Sequence, residues 1–462
     1  MTLIYILTLL AIGFLSSYIF SREIKLFERV SISIGLGILM TSLGFFTILS
    51  FGYGLNVHNV LFILLLLITG LGMIVIFNKE IRKLLKNDFI LISKINTINL
   101  KRVFKDERKY LSVTMIILII IVFMITILWP ISEWDALTLY DFRGRLYAEG
   151  LNFADIQNID NYDLYNVGYY FSYPPSTSLI HASFYVLGSN LPQIVYPVIF
   201  LSFILFFFVT ISKHINFDAA YIVSGLLMMT NIFVSHASVP YTNLPFTYFY
   251  FVSSILLIEY LFDRKNSKLF LSALFLAGSS WIRSVEPFYI INILILLIFD
   301  LFKDRKYLSF IKFVIPVFLL RKSWSLIQSK YTVSSFLTGF DFKNILGNLF
   351  VSIPVVITKA LTSFVGFIVS NSMIFLLLLV STIILIFKFK SKNTYFEKIL
   401  GLLIYLNLGV IMSGTLVIGI LLPGRSEIYD SINRFGIFLY PFILYLAGLM
   451  FKDVKFTNRT ND

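Results

Sequence analysis

The sequence predicts an all-α fold, a polytopic bundle of transmembrane helices, on three observations. Hydrophobic residues make up 58% of the 462 residues, and charged residues only 14%. Apolar runs of about 20 residues recur along the chain, and each is long enough to cross the hydrocarbon core of a bilayer. Lysine and arginine gather in short segments between those runs. This composition excludes a soluble domain.

The apolar runs place about thirteen membrane spans along the chain. The first run, MTLIYILTLL, has neither a basic stretch before it nor a small-residue cleavage site after it, so it is interpreted as a retained span. In chain order the predicted spans are 2–20, 30–51, 58–77, 111–130, 193–211, 219–236, 243–262, 268–282, 287–302, 307–320, 371–388, 401–421 and 435–451.

The basic segments set the predicted orientation. Segment 79–109 carries ten Lys/Arg against four Asp/Glu, and segments 263–268, 303–306, 388–398 and 452–462 are also basic. Because cytoplasmic loops carry an excess of Lys/Arg, these segments are placed inside. The formal charge of +13 then reflects orientation rather than nucleic-acid binding. We expect a multi-pass protein of the plasma membrane with its N-terminus outside and its C-terminus inside.

Three segments are predicted to form the outer face: 131–192, 321–370 and 423–434. Residues 131–175 hold seven carboxylates against two arginines, and one span separates them from the basic segment 79–109. The apolar stretches 176–187 and 346–369 do not fit as spans, so they are predicted to be helices lying at the outer surface. The remainder of 321–345 is predicted to be a loop.

The chain divides into three parts in this interpretation. Residues 1–110 are an N-terminal addition of three spans and a basic loop, residues 111–451 are the membrane core, and residues 452–462 are a cytoplasmic tail. The chain has no cysteine, so neither disulfides nor thiol chemistry contribute to its function.

The segment SEWDALTLYD places carboxylates where a membrane helix meets water. Ionised groups near lipid are costly to keep, so Glu133 and Asp135 are candidates for function. A structural explanation competes with this one, because Ser132 is able to cap the next helix and Asp135 stands at the capping-box position three residues later. Capping leaves Glu133 and a further acid, Asp141, unexplained.

The helix that begins in this segment is predicted to run to Glu149 and to stop at Gly150. Asp141 and Arg145 on it have the i,i+4 spacing of an ion pair. A carboxylate beside the membrane surface acts as a general base when it lies within hydrogen-bond reach of the proton it takes. Asp135 is our candidate for that role.

The order of an apolar helix, an outer WDALTLYDFRGRLYAEG and then FSYPPSTSLIHASFYVLG resembles the GT-C glycosyltransferases, and specifically relatives of the family 39 protein mannosyltransferase type. Members of that superfamily are integral membrane enzymes that take a sugar from a polyprenyl-phosphate carrier on the outer or lumenal face. Their first large outer loop carries an Asp or Asp-Glu motif with the catalytic base. Asp135 matches that position, and Glu133 is a near neighbour rather than an adjacent acid, so the base assignment stays open between them.

Further matches extend the resemblance over roughly 111–450. HASVPYTNLPFTYFYF has Asn243 where such relatives often have Asp before Leu-Pro, and an amide contributes no charge there. WIRSVEPFY resembles an Arg-x-x-Glu segment and gives Arg283 and Glu286. PGRSEIYDSINRFGIFLYP resembles the place where these enzymes hold an arginine near the lipid phosphate, which implies Arg434 first and Arg425 second.

The chemistry of such a reaction suits these residues. Negative charge develops on the phosphate oxygen that leaves the sugar, and guanidinium groups stabilise it best in a water-poor cleft. Tyr173 is a candidate for stacking on a sugar ring, although aromatic residues also concentrate at membrane interfaces. His181 and His236 lack the spacing of a metal site, so no metal ligand is assigned. Dependence on a divalent cation stays open.

The sequence therefore predicts a membrane glycosyltransferase that moves a hexose or pentose, with inversion, from a polyprenyl-phosphate carrier to a glycan, lipid or protein acceptor on the outer face. No cofactor beyond the lipid-linked donor is expected, and no glycine loop for a nucleotide is present. Two other classes stay open, an O-antigen-type polysaccharide polymerase and a lipid-linked sugar flippase or transporter. A transporter would favour internally repeated halves, which this sequence does not show.

Overall fold

The structure is a computed structural model that describes residues 1–93, 108–157, 173–303, 307–331, 342–388, 394–421 and 427–451. These residues form helices joined by short turns, with no strand among them. The predicted all-α class is confirmed, and so is the prediction of several long apolar helices suited to a multi-pass membrane protein.

The helices are numbered here in chain order. The first half of the chain forms α1 (Thr2–Phe20), α2 (Leu26–Ser50), α3 (Val57–Phe77), α4 (Lys79–Ser93), α5 (Arg108–Leu128), α6 (Phe142–Ala148), α7 (Phe153–Gln157), α8 (Ser176–Val186), α9 (Val195–Ile211) and α10 (Phe217–Met229). The second half forms α11 (Asn231–Ser238), α12 (Asn243–Asp263), α13 (Asn266–Ile282), α14 (Glu286–Leu296), α15 (Tyr307–Tyr331), α16 (Phe342–Ser370), α17 (Ser372–Phe387), α18 (Tyr395–Leu421) and α19 (Glu427–Met450).

Seven of the described helices are long and apolar enough to cross a membrane, and up to nine spans result if each of two bent helix pairs counts as one. The seven are α1, α2, α3, α5, α9, which counts together with the turn before it, α12 and α18. The multi-pass character is therefore shown. The predicted number of about thirteen spans stays a prediction.

The predicted span 219–236 is not one continuous helix, because the helix breaks at Thr230, and whether the bent pair crosses the membrane stays a prediction. α10 and α11 meet there at 61°. Thr230 adopts extended backbone angles (φ −67°, ψ 123°), and its hydroxyl donates to the carbonyl of Leu226 in the last turn of α10. Thr and Asn favour helix starts over helix interiors, which explains a break between Met229 and Asn231, where neither proline nor glycine stands.

The predicted loop over 321–345 is also wrong in its first part, because α15 continues to Tyr331. Trp324 is buried on this extension, and its ring lies edge-on to Trp281 of α13 with the ring centroids 6.5 Å apart. Arg321 is held within the helix by a hydrogen bond of 2.7 Å to the hydroxyl of Ser284. Tertiary packing therefore extends the helix past residue 320, where the predicted span ends.

The apolar stretch 346–369 is helical as predicted, within α16, and it meets α17 at 86°. This pair has the geometry of a broken span or a re-entrant loop. The prediction that the stretch lies on the outer surface stays a prediction.

α12 forms the centre of the bundle. Its residues from Asn243 to Leu261 are all buried, and it packs against α9, α13, α18 and α19. A helix that is apolar all round belongs in the middle of a bundle, where every face is covered by another helix. Its first residue, Asn243, therefore stands at one end of the bundle core.

α2 is tied into the same core although it precedes it by about 200 residues. The hydroxyl of Tyr248 on α12 donates to the carbonyl of Ser31 at 2.7 Å. The indole N–H of Trp281 donates to the hydroxyl of Ser42 at 3.1 Å. α2 also packs against α8 and α9. These polar bonds between buried helix faces fix how α2 sits against the helices that follow it.

α1 and α2 approach each other closely at two glycines. A Cβ atom on Gly37 would lie 2.0 Å from the carbonyl oxygen of Leu9, and one on Gly13 would lie 1.7 Å from that of Ser33. We expect Gly37→Ala to push α1 away from α2 and to lower the free energy of unfolding by about 3 kcal/mol, because backbone atoms cannot move aside as side chains do. Unfolding of the purified protein in detergent measures this.

The matched control for Gly37→Ala is Gly70→Ala in α3, where a Cβ atom meets nothing within 4 Å. Equal unfolding midpoints for the two variants would contradict the close packing of α1 on α2.

A cluster of paired charged residues lies at the end of α12 opposite Asn243. Lys213, after α9, pairs with Glu28 of α2 and lies 2.5 Å from a carboxylate oxygen of Glu259 on α12. Lys268 lies 2.7 Å from both Glu259 and Asp263. α12 is 21 residues long, so about 30 Å separates this charged end from the end at Asn243. Which end faces the cytoplasm stays a prediction.

Candidate functional site

Asp135 and Arg434 meet at the Asn243 end of the bundle, although 299 residues separate them in the chain. Arg434 Nη1, on α19, lies 3.5 Å from an Asp135 carboxylate oxygen, and the two side chains are 43% and 37% exposed. Asp135 directly precedes a π-helical turn, Ala136–Asp141. Such widened turns recur at functional sites.

The predicted capping box is not formed at Asp135. The residue already has helical backbone angles (φ −62°, ψ −35°), and its side chain makes no capping hydrogen bond. Its carboxylate approaches Arg434 instead. Helix capping therefore does not account for Asp135.

Glu133 lies in the same group through Tyr241. The Tyr241 hydroxyl donates to a Glu133 carboxylate oxygen at 3.3 Å. Burial and the nearby carboxylates of Asp135 and Glu133 raise the pKa of Tyr241 to about 12, against the opposing effect of Arg434. The phenol thus stays protonated at neutral pH and acts as a donor.

Arg283, Asn243 and His236 form a chain of hydrogen bonds beside this group. Arg283 donates to the Asn243 amide oxygen, and the Asn243 amide nitrogen lies 3.0 Å from His236 Nε2. His236 Nδ1 lies 2.8 Å from the carbonyl oxygen of Ile232, so Nδ1 carries the proton and Nε2 accepts from Asn243. Asn243, which stands where the resemblance implies an acid, therefore links the Arg283 guanidinium to the neutral His236 imidazole.

A cleft of about 540 Å³ opens between α11, the bend of α16 and α17, and α19. This is the size of a small-molecule site. Arg434 is the one formally charged residue among those that line it in the described part of the chain. The lining residues are Thr230, Asn231, Ile232, Ser235, His236, Ser370, Asn371, Ser372, Met373, Ile374, Arg434 and Tyr440.

Two helices begin at this cleft. α11 starts at Asn231 and α17 at Ser372, and both residues line it. Helix N-termini carry partial positive charge, so their effect on an anion in the cleft has the same sign as that of Arg434.

Tyr173 connects to the site through Tyr140. The two rings lie edge-on with centroids 5.8 Å apart, and the Tyr140 hydroxyl lies 3.1 Å from that of Thr242, next to Asn243. Burial raises the pKa of Tyr140. Buried Arg143 fixes this arrangement by donating to the Tyr173 carbonyl at 2.8 Å. Tyr173 thus lies near the candidate site, as a sugar-stacking role requires.

Asp141 lies apart from this group, in a buried network of its own. The predicted ion pair with Arg145 is present at 2.9 Å. Asp141 also accepts from the Tyr185 hydroxyl at 2.5 Å and lies 3.2 Å from His181 Nδ1. Although burial alone would raise its pKa, these partners together lower it to about 2. A carboxylate that is fully buried and so strongly paired suits a structural role better than that of a base.

We expect Asp141→Ala to lower the free energy of unfolding by about 3–5 kcal/mol, because it removes the shared partner of the half-buried Tyr185 and the buried His181. Thermal unfolding of the purified protein measures this. The pKa of Asp141 is depressed, so the contribution is complete above its ordinary value of 3.8 and is lost as the pH falls from there through about 2.

The control for Asp141→Ala is Glu149→Gln, an exposed carboxylate directly after the same helix, α6. An unfolding midpoint for Asp141→Ala equal to that of the control would show that the network contributes nothing.

Two predicted binding residues are not part of the Asp135 group. Glu286, at the start of α14, pairs with Arg321 of α15, whose guanidinium also bonds to Ser284. Arg425 lies outside the described residues. The structure thus brings together Glu133, Asp135, Asn243, Arg283 and Arg434, places Tyr173 beside them, and leaves Asp141 and Glu286 in separate contacts.

Sequence reasoning set His236 aside and overlooked Tyr241. Both occur in HASVPYTNLP, which was considered for Asn243 alone. A signal was present, since five of the eight residues from His236 to Asn243 are polar and lie between apolar runs. The position of His236 at the cleft depends on the bend at Thr230, which turns α11 toward the cleft.

The assembled groups suit transfer chemistry on an anionic substrate. A carboxylate stands beside a guanidinium at a cleft, a neutral phenol donates next to it, and a second guanidinium is held by an amide. Within the described residues, no cluster of three or more His, Cys, Asp or Glu side chains is placed to hold a metal ion. Comparison of the chain with protein-family models, curated proteins and solved structures finds no match.

Proposed function

We propose that the chain is a membrane glycosyltransferase of the GT-C type, which moves a sugar from a polyprenyl-phosphate carrier to an acceptor on the outer face of the plasma membrane. One observation carries the proposal: Asp135 and Arg434, chosen separately as base and phosphate ligand, lie 3.5 Å apart beside a cleft of about 540 Å³. Buried and interfacial charges in membrane proteins mark sites of function rather than stability.

The proposed reaction is a single displacement. The acceptor oxygen attacks the anomeric carbon from the side opposite the phosphate, and Asp135 takes its proton, with Glu133 as the alternative base. The bond from the sugar to the phosphate oxygen breaks, and its electron pair stays on the phosphate. Arg434 stabilises that charge, supported by the N-termini of α11 and α17 and by Arg283 across the Asn243 amide.

A second candidate function, transport of a lipid-linked sugar, is favoured by the two bent helix pairs that border the cleft. Transporters commonly bind substrates where broken helices end. The carboxylate and phenol pairs beside Arg434 favour chemistry over transport. An O-antigen-type polymerase would use the same residues on a diphosphate-linked repeat unit.

One experiment separates these readings. Purified protein in liposomes receives polyprenyl phosphate carrying a radiolabelled sugar, and conversion to free polyprenyl phosphate is followed with and without added membrane lipid extract. Conversion that depends on Asp135, and not on the exposed Glu149, supports the proposal. Movement of intact donor across the bilayer would favour the transporter, and lengthening of diphosphate-linked repeat units would favour the polymerase.

A further inference from the structure

The inference concerns the contact between Asp135 and Arg434, and it rests on the proposed function. Arg434 Nη1 approaches Asp135 at 3.5 Å, and the same side chain lines the cleft. One guanidinium therefore faces both the candidate base and the place proposed for the donor phosphate.

The contact between Asp135 and Arg434 is weak enough for another anion to replace the carboxylate. A separation of 3.5 Å is long for a charge-assisted hydrogen bond, and both side chains are more than a third exposed. Exposed ion pairs contribute little, so a phosphate that offers more oxygen acceptors competes well for the guanidinium.

The other polar groups of the site are less available than Arg434 to bind a phosphate in the cleft. Arg283 is engaged by Asn243 and Thr242, and it is not among the residues that line the cleft. His236 lines the cleft, but its Nε2 accepts from Asn243. Tyr241 is directed to Glu133. Among the described cleft-lining residues, Arg434 supplies the cationic contact for a phosphate.

We propose that the Asp135–Arg434 pair is a latch that the donor opens. When the donor phosphate binds, Arg434 moves its hydrogen bonds from the Asp135 carboxylate to the phosphate oxygens, and Asp135 is released to accept the acceptor's proton. The carboxylate is thus withheld while the cleft is empty, so activation of the acceptor waits for the donor.

The same exchange couples the end of the reaction to product release. After transfer, Asp135 is protonated and no longer attracts Arg434, while the departing phosphate has gained charge and holds it. Loss of the proton from Asp135 restores the competing carboxylate, which draws Arg434 back and weakens the hold on the lipid phosphate. The latch therefore favours release only once the base is regenerated.

The test measures binding rather than turnover. Full-length protein in nanodiscs is titrated with a short-chain polyprenyl phosphate at 0.15 M salt, which screens more distant charges. Removing the competing carboxylate by Asp135→Asn is expected to tighten binding about three- to fivefold, the upper range for an exposed ion pair. Glu133→Gln, the neighbouring carboxylate directed to Tyr241, is expected to change binding less than about 1.5-fold.

A double variant identifies the contact responsible. In an Arg434→Ala background, which itself weakens binding, adding Asp135→Asn is expected to have no further effect, because the carboxylate has lost the group for which it competes. An equal gain from Asp135→Asn with and without Arg434 would overturn the latch and leave only general charge repulsion. Unchanged or weaker binding by Asp135→Asn would also overturn it.

Folding and the proposed function are checked separately. Asp135→Ala serves as the second variant if Asp135→Asn does not fold, and thermal unfolding reports on both. If the wild type binds the lipid phosphate and transfers sugar, but Asp135 variants bind no more tightly, the latch is wrong and the glycosyltransferase stands. If the wild type neither binds the lipid phosphate nor transfers sugar, the proposed function is wrong and the latch with it.

Discussion

Asp135→Asn is expected to lower the turnover number by about 10²–10⁴-fold, the range that general-base catalysis contributes. Asparagine keeps the shape and the hydrogen-bonding oxygen of the side chain but cannot take the acceptor's proton. Because the carboxylate is more than a third exposed and lies 3.5 Å from Arg434, a long contact for an ion pair, we expect the variant to fold. Single-turnover conversion of a radiolabelled polyprenyl-phosphate sugar measures the loss.

Glu133→Gln tests the competing assignment of the base. Glu133 accepts from Tyr241, so its loss should disturb the site without removing the proton acceptor, and the turnover number should fall by about tenfold at most. Full activity in Asp135→Asn together with a loss of about 10²-fold or more in Glu133→Gln would move the base to Glu133.

Arg434→Ala is expected to lower kcat/KM by about 10²–10³-fold, the effect of removing one preorganised donor from a developing negative charge. The loss should appear mainly in kcat, because the charge on the phosphate oxygen grows as the bond to the sugar breaks. Arg434→Lys should recover part of it, since an ammonium keeps the charge but not the two-pronged geometry. Steady-state kinetics over a range of donor concentrations measure both variants.

The matched control for Arg434→Ala is Lys359→Ala, which removes an exposed cation from α16. A similar loss in both variants would mean that the overall positive field, rather than a directed contact, attracts the donor. A rise in KM with kcat unchanged would assign Arg434 to ground-state binding alone.

The sequence was sufficient for the class of fold and for the chemistry of individual side chains. Asp135 and Arg434 were chosen from their positions beside apolar runs and from the resemblance they carry. Their approach to within 3.5 Å could not be read from the sequence, because it depends on how α19 packs beside the segment after α5. Contacts across 299 residues follow from packing, which no local pattern encodes.

The predictions that differ from the structure also do so because tertiary contacts decide the local structure. The break at Thr230 is not marked by proline or glycine, and apolar periodicity runs through it. The predicted span ends just before Arg321. The helix continues because Arg321 contacts Ser284 and Glu286 and because Trp324 is buried. His236 has the features of a packed interior residue until its partner Asn243 is known.

The bonds that tie α2 into the core bear on how the protein is made. A chain is synthesised from its N-terminus, so α2 enters the membrane long before its partners exist. Tyr248, the partner of Ser31, is synthesised 217 residues later. Trp281, the partner of Ser42, is synthesised 239 residues later. During that interval the hydroxyls of Ser31 and Ser42 donate to carbonyl oxygens of α2 itself, and the acceptor positions that Tyr248 and Trp281 later use stay empty.

Insertion and assembly are thus separated in time for this helix. The glycine contacts with α1 form at once, because α1 is already present, and the resulting pair is the earliest unit able to persist. The later helices then complete the polar face of α2 as they arrive.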